Sequence, residues 1–114
     1  MMKLYKSFQW AMNGIYTTWH EEVNFRIELV LGFGVIMLGK YLHFTKLEWI
    51  IVVGCIGAVL AAEMINTAIE DLCNRVELKY DPAIGKIKDV MGGFVLTIVS
   101  MATIIGILVF SNYF

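Results

Sequence analysis

The sequence predicts an all-α membrane protein, an N-terminal interfacial amphipathic helix followed by three transmembrane helices. Three observations carry that prediction. Hydrophobic residues make up 59% of the 114, and mean hydropathy is +0.71, above the roughly 45–50% apolar content of soluble domains. Val90 to Phe110 runs for 21 residues without a formal charge, the length that crosses a bilayer as a helix. One proline and sparse strand punctuation favour long helices over a barrel. The length allows a single domain, residues 1–114. A net charge of −1 gives no electrostatic footprint for nucleic acid. Cys55 and Cys73 stand without a Cys-x-x-Cys pair or histidine cluster, which argues against a zinc site or disulfide framework. The opening residues are amphipathic and meet no small-residue cleavage site, so no secretory signal is expected.

Leu4, Phe8, Ala11, Ile15 and Trp19 recur at helical spacing, with Lys6, Gln9, Asn13, Thr17 and His20 opposite. This is a helix suited to the headgroup region, where its aromatic edge meets the apolar boundary. A polar stretch, His20 to Glu28, leads into the first apolar segment. Phe25 to Phe44 reaches spanning length if Arg26, Glu28 and Lys40 lie near the interfaces and snorkel. Lys40 to Glu48 reads as a short connection, with His43 a surface histidine. The second span runs from about Leu47 to Ile69 and its helix continues to about Val76. It contains Gly54, Gly57, Ala58, Ala61 and Ala62, small residues that let membrane helices approach closely. Leu78 to Lys88 is a polar connection in which Asp81-Pro82 marks a break and a plausible helix start. Val90 to Phe110, opened by Gly92-Gly93, is the third span. Trp10, Trp19 and Trp49 suit interfacial anchoring.

One stretch of the second span changes character without losing its helical pattern. Glu63, Asn66 and Glu70 are spaced i, i+3 and i+7 and share one helix face, which Asn74 and Glu77 extend. An ionisable group at the end of a charge-free run such as Trp49–Ala62 is costly to bury and is a functional candidate by default. At about 1.5 Å per residue Glu63 lies roughly 20 Å beyond Trp49, near the far interface. Seven basic residues (Lys3, Lys6, Arg26, Arg75, Lys79, Lys86, Lys88) flank that interface, against Lys40 and Lys46 opposite. The bias predicts an N-terminus on the cytoplasmic side of the cell inner membrane. It also gathers Glu22, Glu63, Glu70, Lys88 and Asp89 on that face, within reach of ATP and magnesium. Carboxylates can hold Mg²⁺, a lysine can neutralise phosphate charge and a further carboxylate can deprotonate a hydroxyl, as phosphoryl transfer requires. No P-loop or soluble-kinase signature is present. On this chemistry a phosphotransferase, a proton-coupled transporter and a non-enzymatic membrane assembly subunit all stay open.

Glu63-x-x-Asn66-Thr67-Ala68-Ile69-Glu70, followed by Lys88-Asp89 ahead of a glycine-containing span, resembles the prokaryotic diacylglycerol kinase family. Ser7-Phe8-x-x-Ala11-x-x-Gly14-Ile15 and Glu22-x-Asn24-Phe25-Arg26 match the same pattern, so the resemblance covers nearly the whole chain. Glu-x-Asn-Phe and Leu47-Glu48-Trp49 are closer to the undecaprenol kinase branch. The resemblance implies an ATP- and Mg²⁺-dependent membrane lipid kinase, most simply of undecaprenol, with diacylglycerol as the alternative acceptor. It further implies a homotrimer with active sites shared between protomers. By position, Glu63 is the catalytic base, and Glu22 and Glu70 are metal carboxylates. Asn66, Lys88 and Asp89 contact the nucleotide, helped by Trp10 and the connection Lys79-Tyr80-Asp81. Lipid contacts are expected from Phe8, Ile15 and Trp19 on the surface helix and from Gly57, Ala58 and Ala61 on the second span. Asn74 stands where the family usually has aspartate, and Met91-Gly92-Gly93-Phe94 departs from an alanine-rich stretch. Neither departure touches a residue given a chemical role.

Overall fold

A computed structural model describes residues 2–76, 79 and 81–114. Among the described residues it contains four helices: α1 (Met2–Glu21), α2 (Val23–Leu42), α3 (Lys46–Val76) and α4 (Pro82–Phe110). Glu77 and Tyr80, both singled out in the sequence, lie outside the described residues. α3 is the spine of the molecule. α2 and α4 each pack along it, α1 rests against α2 and α3, and among the described residues the α2 and α4 backbones do not come within 8 Å of each other, Cα to Cα.

α3 and α4 are long and apolar enough to cross a membrane. α2 has the length but carries Arg26, Glu28 and Lys40 within its 20 residues, so composition alone does not make it a span. The chain exposes 8539 Å², against about 6,300 Å² for a compact soluble domain of this mass. Large apolar side chains such as Phe33, Ile50, Leu96, Ile104 and Leu108 are exposed. Such a surface needs lipid or protein to cover it.

The ends of the helices are set by local chemistry. α1 stops at Glu22, one residue of extended backbone (φ −116°, ψ 111°) that turns the chain directly into α2. α2 ends in a Schellman motif: the Phe44 N–H donates to the Gly39 carbonyl at 3.0 Å and the His43 N–H to Lys40 at 3.3 Å. His43 takes the left-handed conformation there (φ 60°) and is exposed, as a surface histidine should be. Gly39 is required at this end, since a Cβ would lie 2.6 Å from the Phe44 ring. α3 begins with a capping box, Glu48 N–H to Thr45 Oγ1 and Thr45 N–H to Glu48 Oε1. α4 starts at Pro82 with Asp81 as its cap, Oδ1 accepting from the Ala83 N–H at 2.8 Å and from Ile84 at 3.4 Å. The polar connection therefore closes at Asp81. Residues 82–88 are helix, because a capped proline start outweighs their polarity.

The three long helices are tied together at one end. Phe44, Val52 and Val109 are buried there, with Trp49, Phe110 and Tyr113 packed on them. The Phe44 ring lies 5.3 Å from those of Trp49 and Phe110 and 5.6 Å from that of Tyr113, within the range of favourable aromatic pairing. Glu48 accepts from the Tyr113 hydroxyl and from Asn112 Nδ2, joining the start of α3 to the end of α4. We call this the aromatic end.

Candidate active site

The opposite, carboxylate end is built where α3 runs on beyond its apolar stretch. From Lys46 to Glu63 is about 26 Å of helix, close to the roughly 30 Å of a hydrocarbon core. The polar stripe therefore begins where a bilayer would give way to headgroups. Glu63 itself is 2% exposed, and the adjoining turn is closed by Thr67, whose hydroxyl donates to the Glu63 carbonyl at 2.9 Å. Asn66 and Glu70, one and two turns on, are half-buried on the same face.

Glu22 joins them from another part of the chain. Its position at the α1–α2 corner puts it close enough to Glu70, Glu63 and Asp71 to feel their charge. Burial, then repulsion from Glu70, Glu63, Asp71 and Glu21, holds its carboxyl above the usual carboxylate range. The two carboxylates expected to hold metal, distant in sequence, thus lie within electrostatic range of each other. Among the described residues no three acidic, histidine or cysteine side chains are disposed to hold a metal ion by themselves.

A further carboxylate appears that the sequence reading had placed at the interface, snorkelling. Glu28 is half-buried, lies beside the Glu63 carboxyl, and lines the groove between α2 and α4. The signal was present in the spacing. Phe25, Gly32 and Gly39 are the buried residues of α2, and Glu28 falls on the face they define.

Lys88 is half-buried on α4 and donates from Nζ to Asn74 Oδ1 at 2.8 Å, which ties the two helices together where both leave the apolar region. Asp89 is exposed beside it, and Lys79 is exposed in the connection. Asp81 is committed through Oδ1 to capping α4. Trp10, Phe8 and Ile15 are exposed on α1, with Trp19 half-buried near its end. Gly57, Ala58 and Ala61 form an exposed strip of α3, around the helix from the groove-lining Cys55, Ile56 and Val59. The structure brings Glu22, Glu63 and Glu70 together, adds Glu28, and leaves Trp10 on open surface within one chain.

This arrangement can accept a proton in a water-poor place, attract a divalent cation, and offer a cation to phosphate. A model of the family described as prokaryotic diacylglycerol kinase matches residues 9–110. The undecaprenol kinase of Bacillus subtilis is 32% identical over 108 residues, spanning 95% of this chain and 88% of that protein. The diacylglycerol kinase of Haemophilus influenzae is 29% identical over 86 residues, 75% of this chain and 73% of its own. That of Escherichia coli is 24% identical over 102 residues, 90% and 84% respectively.

Proposed function

Since the chain belongs to the prokaryotic diacylglycerol kinase family and is a membrane lipid kinase, we propose that it transfers the γ-phosphoryl group of ATP to undecaprenol. One observation carries the chemistry: a carboxylate 2% exposed, Glu63, sits among Glu22, Glu28 and Glu70 where an apolar helix turns polar. The choice of acceptor is supported by the undecaprenol kinase similar along 95% of this chain.

In this reading Glu63 takes the proton of the lipid hydroxyl as that oxygen attacks the γ-phosphorus, and the bond from the γ-phosphorus to the β–γ bridging oxygen breaks to release ADP. Its burial removes competing water and keeps the proton acceptor in the apolar phase beside the substrate. Glu22 and Glu70 would hold Mg²⁺, which would supply positive charge to the nucleotide phosphates. Lys88 adds a positive charge to the phosphates, oriented by its bond to Asn74, while Asn66 and Asp89 contact the rest of the nucleotide with Lys79, Tyr80, Asp81 and Trp10. Phe8, Ile15, Trp19, Gly57, Ala58 and Ala61 meet the membrane lipid. The Gly57–Ala61 strip also suits close helix approach in a homotrimer with shared sites. α2 spans the bilayer with α3 and α4, and the carboxylate end faces the cytoplasm.

Purified protein in detergent micelles, given ATP, magnesium and either undecaprenol or diacylglycerol, tests this. Undecaprenol phosphorylated with the higher kcat/KM is the expected result. Preference for diacylglycerol would move the chain to the other acceptor, and turnover of neither would overturn the proposal.

A further inference from the structure

The aromatic end holds a single described carboxylate. The others lie between residues 21 and 28 or between 63 and 89, so Glu48 stands alone at its extremity of the bundle. It is half-buried and open to water, and it takes three hydrogen bonds at once. Oε1 accepts from the Thr45 N–H at 2.9 Å, where α3 begins, and from the Tyr113 hydroxyl. Oε2 accepts from Asn112 Nδ2 at 3.4 Å. Asn112 and Tyr113 belong to the turn after α4, which their N–H groups close by donating to the Val109 and Phe110 carbonyls. From that turn the Tyr113 ring reaches Phe44, two residues beyond α2. Since the α2 and α4 backbones stay apart, the turn helps bridge the gap between them.

All three partners present a hydrogen to Glu48, and an ionised carboxylate, which only accepts, suits them. Protonation turns one oxygen into a donor facing donors. The bonds that remain lose the charge that makes such bonds roughly twice as strong as neutral ones. The other titratable groups of this end are Lys40, Tyr41 and His43 at the close of α2 and Lys46 on α3, and none of them bears on Glu48. Response to protons therefore falls to one group. For adhesion alone the rings around Phe44 suffice; the carboxylate adds a dependence on its own ionisation.

We propose that Glu48, Tyr113 and Asn112 form a proton-sensitive latch on the membrane face opposite the carboxylate end, closed while Glu48 is ionised and released as the medium on that side turns acid. α3 carries Glu48 near its start and Glu63 beyond its apolar stretch, and α4 carries Lys88 near its start and the latch turn after its end. Release loosens the seating of α4 on α3, and phosphoryl transfer at the far end slows. That last step rests on the lipid kinase reading above and on its placement of the two ends on opposite faces.

Two measurements on the full-length protein test this. In detergent micelles, amide exchange of residues 104–113 is compared between the wild type and Glu48→Gln, whose amide stands in for the protonated carboxyl. At about pH 7, where an ordinary carboxyl is ionised, the variant should exchange about three- to tenfold faster. The ratio should fall to about one near pH 4, where the wild-type carboxyl is protonated as well. Tyr113→Phe, which removes one donor and keeps the carboxylate, should also exchange faster at neutral pH. His43→Asn, which tolerates the same left-handed turn, should match the wild type. In sealed vesicles containing undecaprenol, ATP and magnesium added outside reach only copies whose carboxylate end faces out, so the latch of those copies lies in the lumen. With the exterior held neutral, acidifying the lumen should lower kcat about threefold or more in the wild type and leave that of Glu48→Gln constant. Equal exchange in wild type and Glu48→Gln at neutral pH would overturn the proposal. So would turnover indifferent to luminal pH, a pH response that persists in Glu48→Gln, or one that vanishes in His43→Asn. Exchange reads the latch even where no lipid is phosphorylated, so failure of the kinase reading and failure of this one are told apart.

Discussion

Replacing Glu63 by glutamine isolates the proton-accepting role, because the amide has nearly the same volume and can still hydrogen-bond. Glu63 is 2% exposed and faces Glu28, so an uncharged amide of nearly equal volume is accommodated there and should not unfold the helix. What is lost is the base. General acid–base catalysis supplies on the order of 10²–10⁴ in rate, about 2.7–5.5 kcal/mol of transition-state stabilisation. Glu63→Asp tests the geometry separately. It keeps a carboxylate but withdraws it by one carbon–carbon bond, about 1.5 Å, and a displacement near 1 Å costs on the order of 10². Both variants should show kcat reduced, helical content retained by circular dichroism, and the KM for ATP within about twofold of wild type, as expected when only a transition-state interaction is removed. A folded Glu63→Gln protein with kcat near that of the wild type would refute the assignment. So would a loss seen wholly in the KM for ATP.

Glu22→Gln and Glu70→Gln should each raise the magnesium concentration for half-maximal activity, and an unchanged metal titration in both would remove them as ligands. Because burial and Glu70 hold the Glu22 carboxyl above the usual range, protons compete with metal at higher pH than for an ordinary carboxylate. Apparent magnesium affinity should therefore fall as pH is lowered, and Glu22→Gln should flatten that dependence; equal slopes would speak against it. Asn74→Asp puts a charge on Lys88 Nζ at the present 2.8 Å contact. The KM for ATP should rise about two- to fivefold and recover at high salt, as an exposed ion pair would dictate; an unchanged KM would place Lys88 away from phosphate. Gly39→Ala forces a methyl group to within 2.6 Å of the packed Phe44 ring. It should cost about 1–3 kcal/mol in detergent unfolding, while Gly34→Ala, with open space around it, should be neutral; equal effects would contradict the packing described.

How much of this could be read from the sequence depended on the range of the interaction involved. Helical period alone located α3, and its continuation to Val76 followed from a polar stripe that never broke the pattern. The Asp81-Pro82 start of α4 was equally legible, being a local cap. Residues 82–88 were not, since their polarity suggests a connection and only the cap shows them to be helix. Glu63, Asn66 and Glu70 could be aligned because they share one helix. Glu22 reached them only through topology and family pattern, and Glu28 was missed: an acidic residue near the start of an apolar segment looks like an interfacial group until its partner across the helix pair is known. The Tyr113–Glu48 link joins residues 65 apart in sequence, and no local signal predicts it.

The aromatic end has a mechanical consequence. Three helices are clamped there by Phe44, its ring partners and the Glu48 hydrogen bonds, while at the far end the described ties are fewer and polar, Lys88 to Asn74 among them. A bundle fixed at one extremity behaves as a set of levers about that fulcrum. Leu42 to Glu28 is about 21 Å of helix, so a tilt of only about 5° at the clamp carries Glu28 about 2 Å sideways. Rotations too small to disturb the ring packing are thus magnified into displacements comparable with a hydrogen-bond length at the carboxyl groups. Amide exchange should accordingly be slowest around Val52 and Val109 and quicken toward Val76.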